Sequence, residues 1–197
     1  FPSVGATENI ILTAVTANGR TVINNAAREP EISDLADFLN SCGAKVSGAG
    51  YGTVVIDGVK KLHACEHTVI PDRIAAGTYM AAAAVTRGRV TLNRIIPAHL
   101  MPVLPLFEEA GCRIDTDVNS LTITAPERLK SIRTVRTMPY PGFPTDMQAP
   151  IMAVMTVCRG TGVMIETVFE SRYKHVSELL RFGAKIRVDG RMAVVEG

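Results

Sequence analysis

The sequence predicts a mixed α/β chain assembled from three repeated α-β-α-β-β units. Three observations carry this prediction. Glycines followed by a small or polar residue and then a β-branched one recur at intervals of about 70 residues: Gly43 in Cys-Gly-Ala-Lys-Val, Gly111 in Ala-Gly-Cys-Arg-Ile and Gly183 in Phe-Gly-Ala-Lys-Ile. A second series, Gly19, Gly88 and Gly160, lies roughly 23 residues upstream of the first and precedes strand-like runs. The chain also has 197 residues with 47% hydrophobic content, enough core for one ordinary domain or two small ones.

The elements of a unit follow in order. An apolar, alanine-rich helix comes first, near 6–17, 73–86 and 146–158, and a glycine ends it. These helices are apolar nearly all round, as in Met80 to Val85, which predicts an interior position. A β-branched strand follows, near 20–24, 89–93 and 162–167. An amphipathic helix comes next, near 30–42, 98–110 and 173–182. Leu35, Phe38 and Leu39 show the three-four spacing of a core stripe, as do Leu104, Phe107 and Ala110. Two short strands close the unit, near 44–47 with 53–57, 112–116 with 121–124, and 184–188 with 192–195. One such unit cannot bury its own faces, so the units must pack together.

Residues 139–148, Pro-Tyr-Pro-Gly-Phe-Pro-Thr-Asp-Met-Gln, break the pattern. Prolines fix φ and remove backbone donors, which predicts a stiff, extended loop. Thr145-Asp146-Met147-Gln148 reads as a capping box, with Thr145 as N-cap and Gln148 reaching back. Asp146 then sits in the first helical turn. There a carboxylate either complements the helix dipole or serves as a proton acceptor.

Composition narrows the function classes. The net charge is +2 with no basic stripe interleaved with aromatics, so no nucleic-acid partner is expected. No apolar run approaches the length of a membrane span, and no signal peptide is expected. Cys42, Cys65, Cys112 and Cys158 are scattered without metal spacing, as for reduced thiols in a cytoplasmic protein. His63, Cys65 and His67 lack a fourth ligand, and alternation along a strand is the simpler reading, so no metal and no cofactor are expected. Phe1-Pro2-Ser3-Val4-Gly5 opens the chain without Met, so the chain reads as a piece of a longer protein. Pro71 marks a candidate boundary between residues 1–70 and 71–197.

Five segments carry a resemblance: residues 3–10, residues 29–32, Ile70 to Arg73, Gly142 to Gln148 and Glu166 to Arg172. Together they resemble the central half of the UDP-N-acetylglucosamine enolpyruvyl transferases. The resemblance implies an inside-out α/β barrel of two domains, each of three repeated units. Residues 1–70 would finish one domain and 71–197 would supply two units of the other. It also implies transfer of enolpyruvate from phosphoenolpyruvate to the 3-hydroxyl of UDP-N-acetylglucosamine, the first committed step of peptidoglycan synthesis. Shikimate-type enolpyruvyl transferases share that fold but not the Phe-Pro-Thr-Asp-Met-Gln stretch.

By the resemblance, Asp146 lies at the sugar hydroxyl as base or orienting group. Ser3, Val4 and Gly5 hold the nucleotide diphosphate, where a small-residue turn opening a helix presents free N–H groups. Ser3 is otherwise a plain helix cap. Val168 makes a backbone contact to the sugar, with Phe169 beside it or in the core. Arg172 faces the cleft, or else forms a surface ion pair with Glu170 or Glu178. The family's acid cysteine matches none of the four here, and Tyr140 stands where many members carry His. The piece alone is therefore expected to be inactive. A non-catalytic truncated module that self-associates or binds a partner is the alternative class.

Overall fold

The computed structural model describes residues 1–197. Contacts divide it into two compact units: Phe1–Ile70 with Pro139–Pro141, and Pro71–Met138 with Gly142–Gly197.

The first unit runs α1 (Val4–Ala14), β1 (Arg20–Asn24), α2 (Pro30–Ser41), β2 (Val46–Ser47) and β3 (Thr53–Asp57). The strands form an antiparallel sheet in the order β1-β3-β2, with Val22 opposite Val55 and Val46 opposite Ile56. Ile11, Ile32, Val54 and Ile56 are fully buried in the core between the sheet and the two helices. Helix α1 is not interior all round. It buries Thr7, Ile11 and Ala14, while Ile10 and Leu12 are half exposed, because packing against one side covers only one helical stripe.

The second unit holds α3 (Arg73–Val85), β4 (Arg89–Asn93), α4 (Leu104–Glu109), β5 (Arg113–Thr116) and β6 (Ser120–Thr124). These strands order as β4-β6-β5. It continues with β7 (Thr134–Arg136), α5 (Gln148–Met155), β8 (Thr161–Ile165), α6 (Val176–Arg181), β9 (Lys185–Asp189) and β10 (Met192–Glu196), in a four-stranded sheet ordered β7-β8-β10-β9. Helices α3 and α5 pack together in a core that includes Met80, Phe107, Leu121, Ile123, Met147, Ile151, Met152 and Met164.

The structure departs from the sequence reading at four places. The amphipathic helix expected over 98–110 is split into a 3-10 turn, Pro97–Leu100, and the short α4, because Pro102 and Pro105 remove the backbone donors that would join them. Strand β7 was not expected; it pairs parallel to β8, with Val135 opposite Met164. No capping box forms at Thr145. Residues Thr145–Met147 make a 3-10 turn without a side-chain cap, and α5 starts only at Gln148. The proline-rich segment is a turn rather than an extended stretch, closed by Met138 N donating to Phe143 O at 2.8 Å. No helix is long and apolar enough to cross a membrane.

Two glycines mark close approaches. A Cβ on Gly77 of α3 would stand 2.7 Å from Met147 Cε, and one on Gly162 of β8 would fall on the Ile132 carbonyl. The first lets α3 lie against the 3-10 turn that carries Asp146.

Candidate functional site

In the second unit, β8 ends on a buried acid. Gly162 and Met164 point into the core, and Glu166 continues the alternation inward at 1% exposure. A buried carboxylate is costly unless its lone pairs are filled, and here they are. Oε1 accepts from Thr137 Oγ1 at 2.8 Å, Val168 N at 2.8 Å and Phe169 N at 3.0 Å. Oε2 accepts from Thr145 Oγ1 at 2.8 Å and Gln148 Nε2 at 2.7 Å. Burial pushes the carboxyl up, but the bonds from Phe169, Thr145, Thr137 and Val168 outweigh it and hold Glu166 below the usual carboxylate range. The residues of the expected capping box therefore serve Glu166. Both side chains donate in that role, Thr145 through its hydroxyl and Gln148 through its amide, whereas a capping box needs both to accept backbone N–H groups.

Glu166 gathers three segments: Thr137 after β7, the turn at Thr145 and the chain after β8. Thr137 is itself doubly used, since its Oγ1 accepts from Thr167 N at 2.8 Å and Thr167 Oγ1 donates to its carbonyl. Thr145 spends its one proton on Glu166, so its lone pairs are free to accept from Arg172 Nη1 at 2.9 Å. Arg172 Nη2 then donates to Asp146 Oδ1 at 2.6 Å. The Arg172 guanidinium also lies 4.9 Å from the Phe169 ring centroid. A continuous chain of contacts thus runs from buried Glu166 through Thr145 and Arg172 to Asp146.

Four of the expected site residues meet in this network. The Asp146 side chain is 54% exposed, so it is paired yet open to solvent. Arg172 uses neither expected acidic partner: Glu170 pairs with Arg191 at 3.6 Å and Glu178 with Arg181 at 2.9 Å. Phe169 is half exposed rather than core, stacked under Arg172. Val168 gives its N–H to Glu166, so any backbone contact it makes to a ligand runs through its carbonyl. Nearby, burial and then the charge of Arg172 hold His175 below its usual range. Burial first, then the charge of Glu166, pushes Tyr173 up to about 12. Its hydroxyl lies 3.0 Å from Met164 O and 3.1 Å from Arg191 O.

Ser3, Val4 and Gly5 belong to the first unit. Ser3 is the N-cap of α1, accepting from Ala6 N at 3.3 Å, so the plain capping reading holds for its side chain. Thr7 N donates to the Ser3 carbonyl, which leaves the N–H groups of Val4 and Gly5 at the open helix start. A Cβ on Gly5 would meet nothing within 4 Å, so neither packing nor backbone strain requires glycine there.

Glu166, Thr137 and Gln148 were missed as members of this network. The signal was available for Glu166: an acid at an inward-facing position directly after an apolar strand demands donors. Nothing in the sequence points to Thr137, because β7 itself was not visible.

Comparison with known proteins adds the family. The family model described as EPSP synthase (3-phosphoshikimate 1-carboxyvinyltransferase) matches residues 1–197. Two curated relatives from Caldanaerobacter subterraneus subsp. tengcongensis are similar over the whole chain. They are UDP-N-acetylglucosamine 1-carboxyvinyltransferase 2, 53% identical, and UDP-N-acetylglucosamine 1-carboxyvinyltransferase 1, 55% identical; the chain covers 47% of each. The chain thus spans about half the length of the curated relatives it matches. Among solved structures, the enolpyruvyl transferase NikO from Streptomyces tendae superposes with a TM-score of 0.87 at 26% identity, over 98% of this chain and 46% of that one. A match of the family model from the first residue to the last, on a chain whose fold is that of an enolpyruvyl transferase, shows that this chain belongs to the EPSP synthase (3-phosphoshikimate 1-carboxyvinyltransferase) family.

Proposed function

We propose that the chain supplies part of the active site of an enzyme that transfers enolpyruvate from phosphoenolpyruvate to the 3-hydroxyl of UDP-N-acetylglucosamine, in the cytoplasm, at the first committed step of peptidoglycan synthesis. In this reading residues 1–70 end one domain of an inside-out α/β barrel. Residues 71–197 contribute two α-β-α-β-β units to the other.

The observation that carries the reading is the exposed Asp146 carboxylate anchored through one oxygen. Arg172 holds Oδ1 at 2.6 Å, which leaves Oδ2 to accept the hydrogen of an acceptor hydroxyl. The hydroxyl must lose its proton as it attacks C2 of phosphoenolpyruvate, and Asp146 is the base or orienting group for that step. The adjacent guanidinium is suited to a phosphate or carboxylate oxygen of phosphoenolpyruvate. At the start of α1, the Val4 and Gly5 N–H groups suit diphosphate oxygens, and open space at Gly5 permits their close approach. Val168 and Phe169 flank the sugar, with no cofactor needed for proton transfer and elimination.

The family description itself names 3-phosphoshikimate as acceptor, which is the second reading. More than 50% identity to two relatives named for UDP-N-acetylglucosamine favours the first. A chimera separates them: this chain replaces the matching segment of the Caldanaerobacter relative that is 53% identical. The proposal expects phosphate release from phosphoenolpyruvate with UDP-N-acetylglucosamine as acceptor. Release with 3-phosphoshikimate in its place refutes it.

A further inference from the structure

Two thiols in the first unit lie outside the site described above. Cys42 caps the C-terminus of α2 and is buried, at 7% exposure. Cys65 lies in the strand-free segment after β3 and is half-buried. Their sulfurs are 3.1 Å apart, against about 2.0 Å in a disulfide. An approach of roughly 1 Å would therefore join them.

The pair is held by ties independent of the sulfurs. His63 N donates to the Cys42 carbonyl at 2.9 Å, two residues before Cys65. Two residues after it, His67 Nε2 bonds Asp34 Oδ1 at 2.9 Å, and the His67 ring lies 5.5 Å from that of Phe38. Further upstream, Val59 N donates to Val15 O at 2.8 Å. The segment carrying Cys65 is thus fastened to α2 on both sides of the thiol. Anchoring of this kind raises the effective concentration of one sulfur at the other. The contact with Cys42, then burial and the charge of Cys42, raise Cys65 as well, so its thiolate forms under alkaline conditions. Cys112 and Cys158, which burial pushes to about 11, are both buried, which leaves Cys65 the most accessible of the four thiols.

We infer that Cys42 and Cys65 form an oxidation site that reacts with low-molecular-weight disulfides to give an intramolecular disulfide. The more exposed Cys65 thiolate attacks one sulfur of the small disulfide; that S–S bond breaks and the first small thiol leaves. The Cys42 thiolate then attacks the Cys65 sulfur of the mixed disulfide, and the second small thiol leaves. Two protein thiols are oxidised, one small disulfide is reduced to two thiols, and the two protons pass to those thiols. The new bond closes a loop containing β2 and β3 and staples the segment after β3 to the end of α2.

The test is incubation of the 197-residue chain with glutathione disulfide under mildly alkaline conditions, followed by intact-mass and non-reducing peptide analysis. The expected product is lighter by two hydrogens, carries one Cys42–Cys65 crosslink, and leaves Cys112 and Cys158 open to alkylation once unfolded. It should melt on the order of 10 °C above the reduced chain. Cys65→Ser, in a segment outside helix and strand, should show neither the mass loss nor any modification of Cys42. Four free thiols, a stable glutathione adduct without a crosslink, or a crosslink involving Cys112 or Cys158 would each overturn the inference. So would the same mass loss in Cys65→Ser.

Discussion

Replacing Glu166 by glutamine tests whether one buried carboxylate organises this part of the second unit. The side chain keeps its shape and loses its charge. Three donors converge on Oε1, and two of them are backbone N–H groups that cannot reverse, so the glutamine carbonyl must occupy that position. The glutamine NH2 then faces Thr145 Oγ1 and Gln148 Nε2, which now donate to Oε2. Gln148 can turn its amide over, because its Oε1 has no partner. Thr145 can rotate, but its hydroxyl proton then loses its acceptor. Bonds to a charged group stabilise by about 1.5–3 kcal/mol, neutral ones by about 1. Weakening three bonds and disturbing a fourth costs about 3 kcal/mol, which lowers Tm by roughly 10 °C in a unit of this size. The hydrogen bonds hold the folded-state carboxyl below its usual value despite burial. Its contribution is therefore complete above the unfolded value, about 4.3, and is lost as the pH falls through the folded value. The melting difference between the two chains should be full at neutral pH and shrink below about pH 4. Calorimetry at both extremes checks this. Equal melting at neutral pH, or a difference that ignores pH, refutes the reasoning.

Other outcomes follow from the same geometry. Gly162→Ala drives a methyl onto the Ile132 carbonyl between β7 and β8, and a thermal melt should show a loss of about 1–3 kcal/mol. Gly5→Ala meets no atom of the chain, so its melt should match or slightly exceed the parent's. In the chimera, the same change should raise KM for UDP-N-acetylglucosamine and spare that for phosphoenolpyruvate; unchanged kinetics would remove Gly5 from the diphosphate site. Thr145→Val cuts the link between Glu166 and Arg172. It should lower kcat of the chimera by roughly tenfold or more, and Thr145→Ser should restore most of it.

Much of the fold was legible because local rules and tertiary packing agreed. Strands β1 and β4 sit where a glycine followed by β-branched residues placed them, and Asp72 caps α3 through Ile74 N and Ala75 N as its position suggests. The parts that were hidden depend on partners distant in sequence. Strand β7 is three residues long and exists through its pairing with β8, which no local pattern encodes. The capping-box reading of Thr145 and Gln148 failed for the same reason, since both side chains turn to Glu166, about twenty residues further on, and Arg172 donates to the Thr145 oxygen that a cap would have used. Asp146 and Arg172 could each be named from the resemblance, but their pairing could not. Sequence spacing offered Glu170 and Glu178 as nearer partners for the arginine, and only the packing of the turn against β8 decides otherwise.

The most direct test of the account is the turnover of the chimera carrying Asp146→Asn, compared with the unsubstituted chimera. Asparagine keeps the size of the side chain and removes the base. The account predicts a fall in kcat on the order of 10²–10⁴ with KM for phosphoenolpyruvate changed only a few-fold. A variant that turns over at the unsubstituted rate would contradict it.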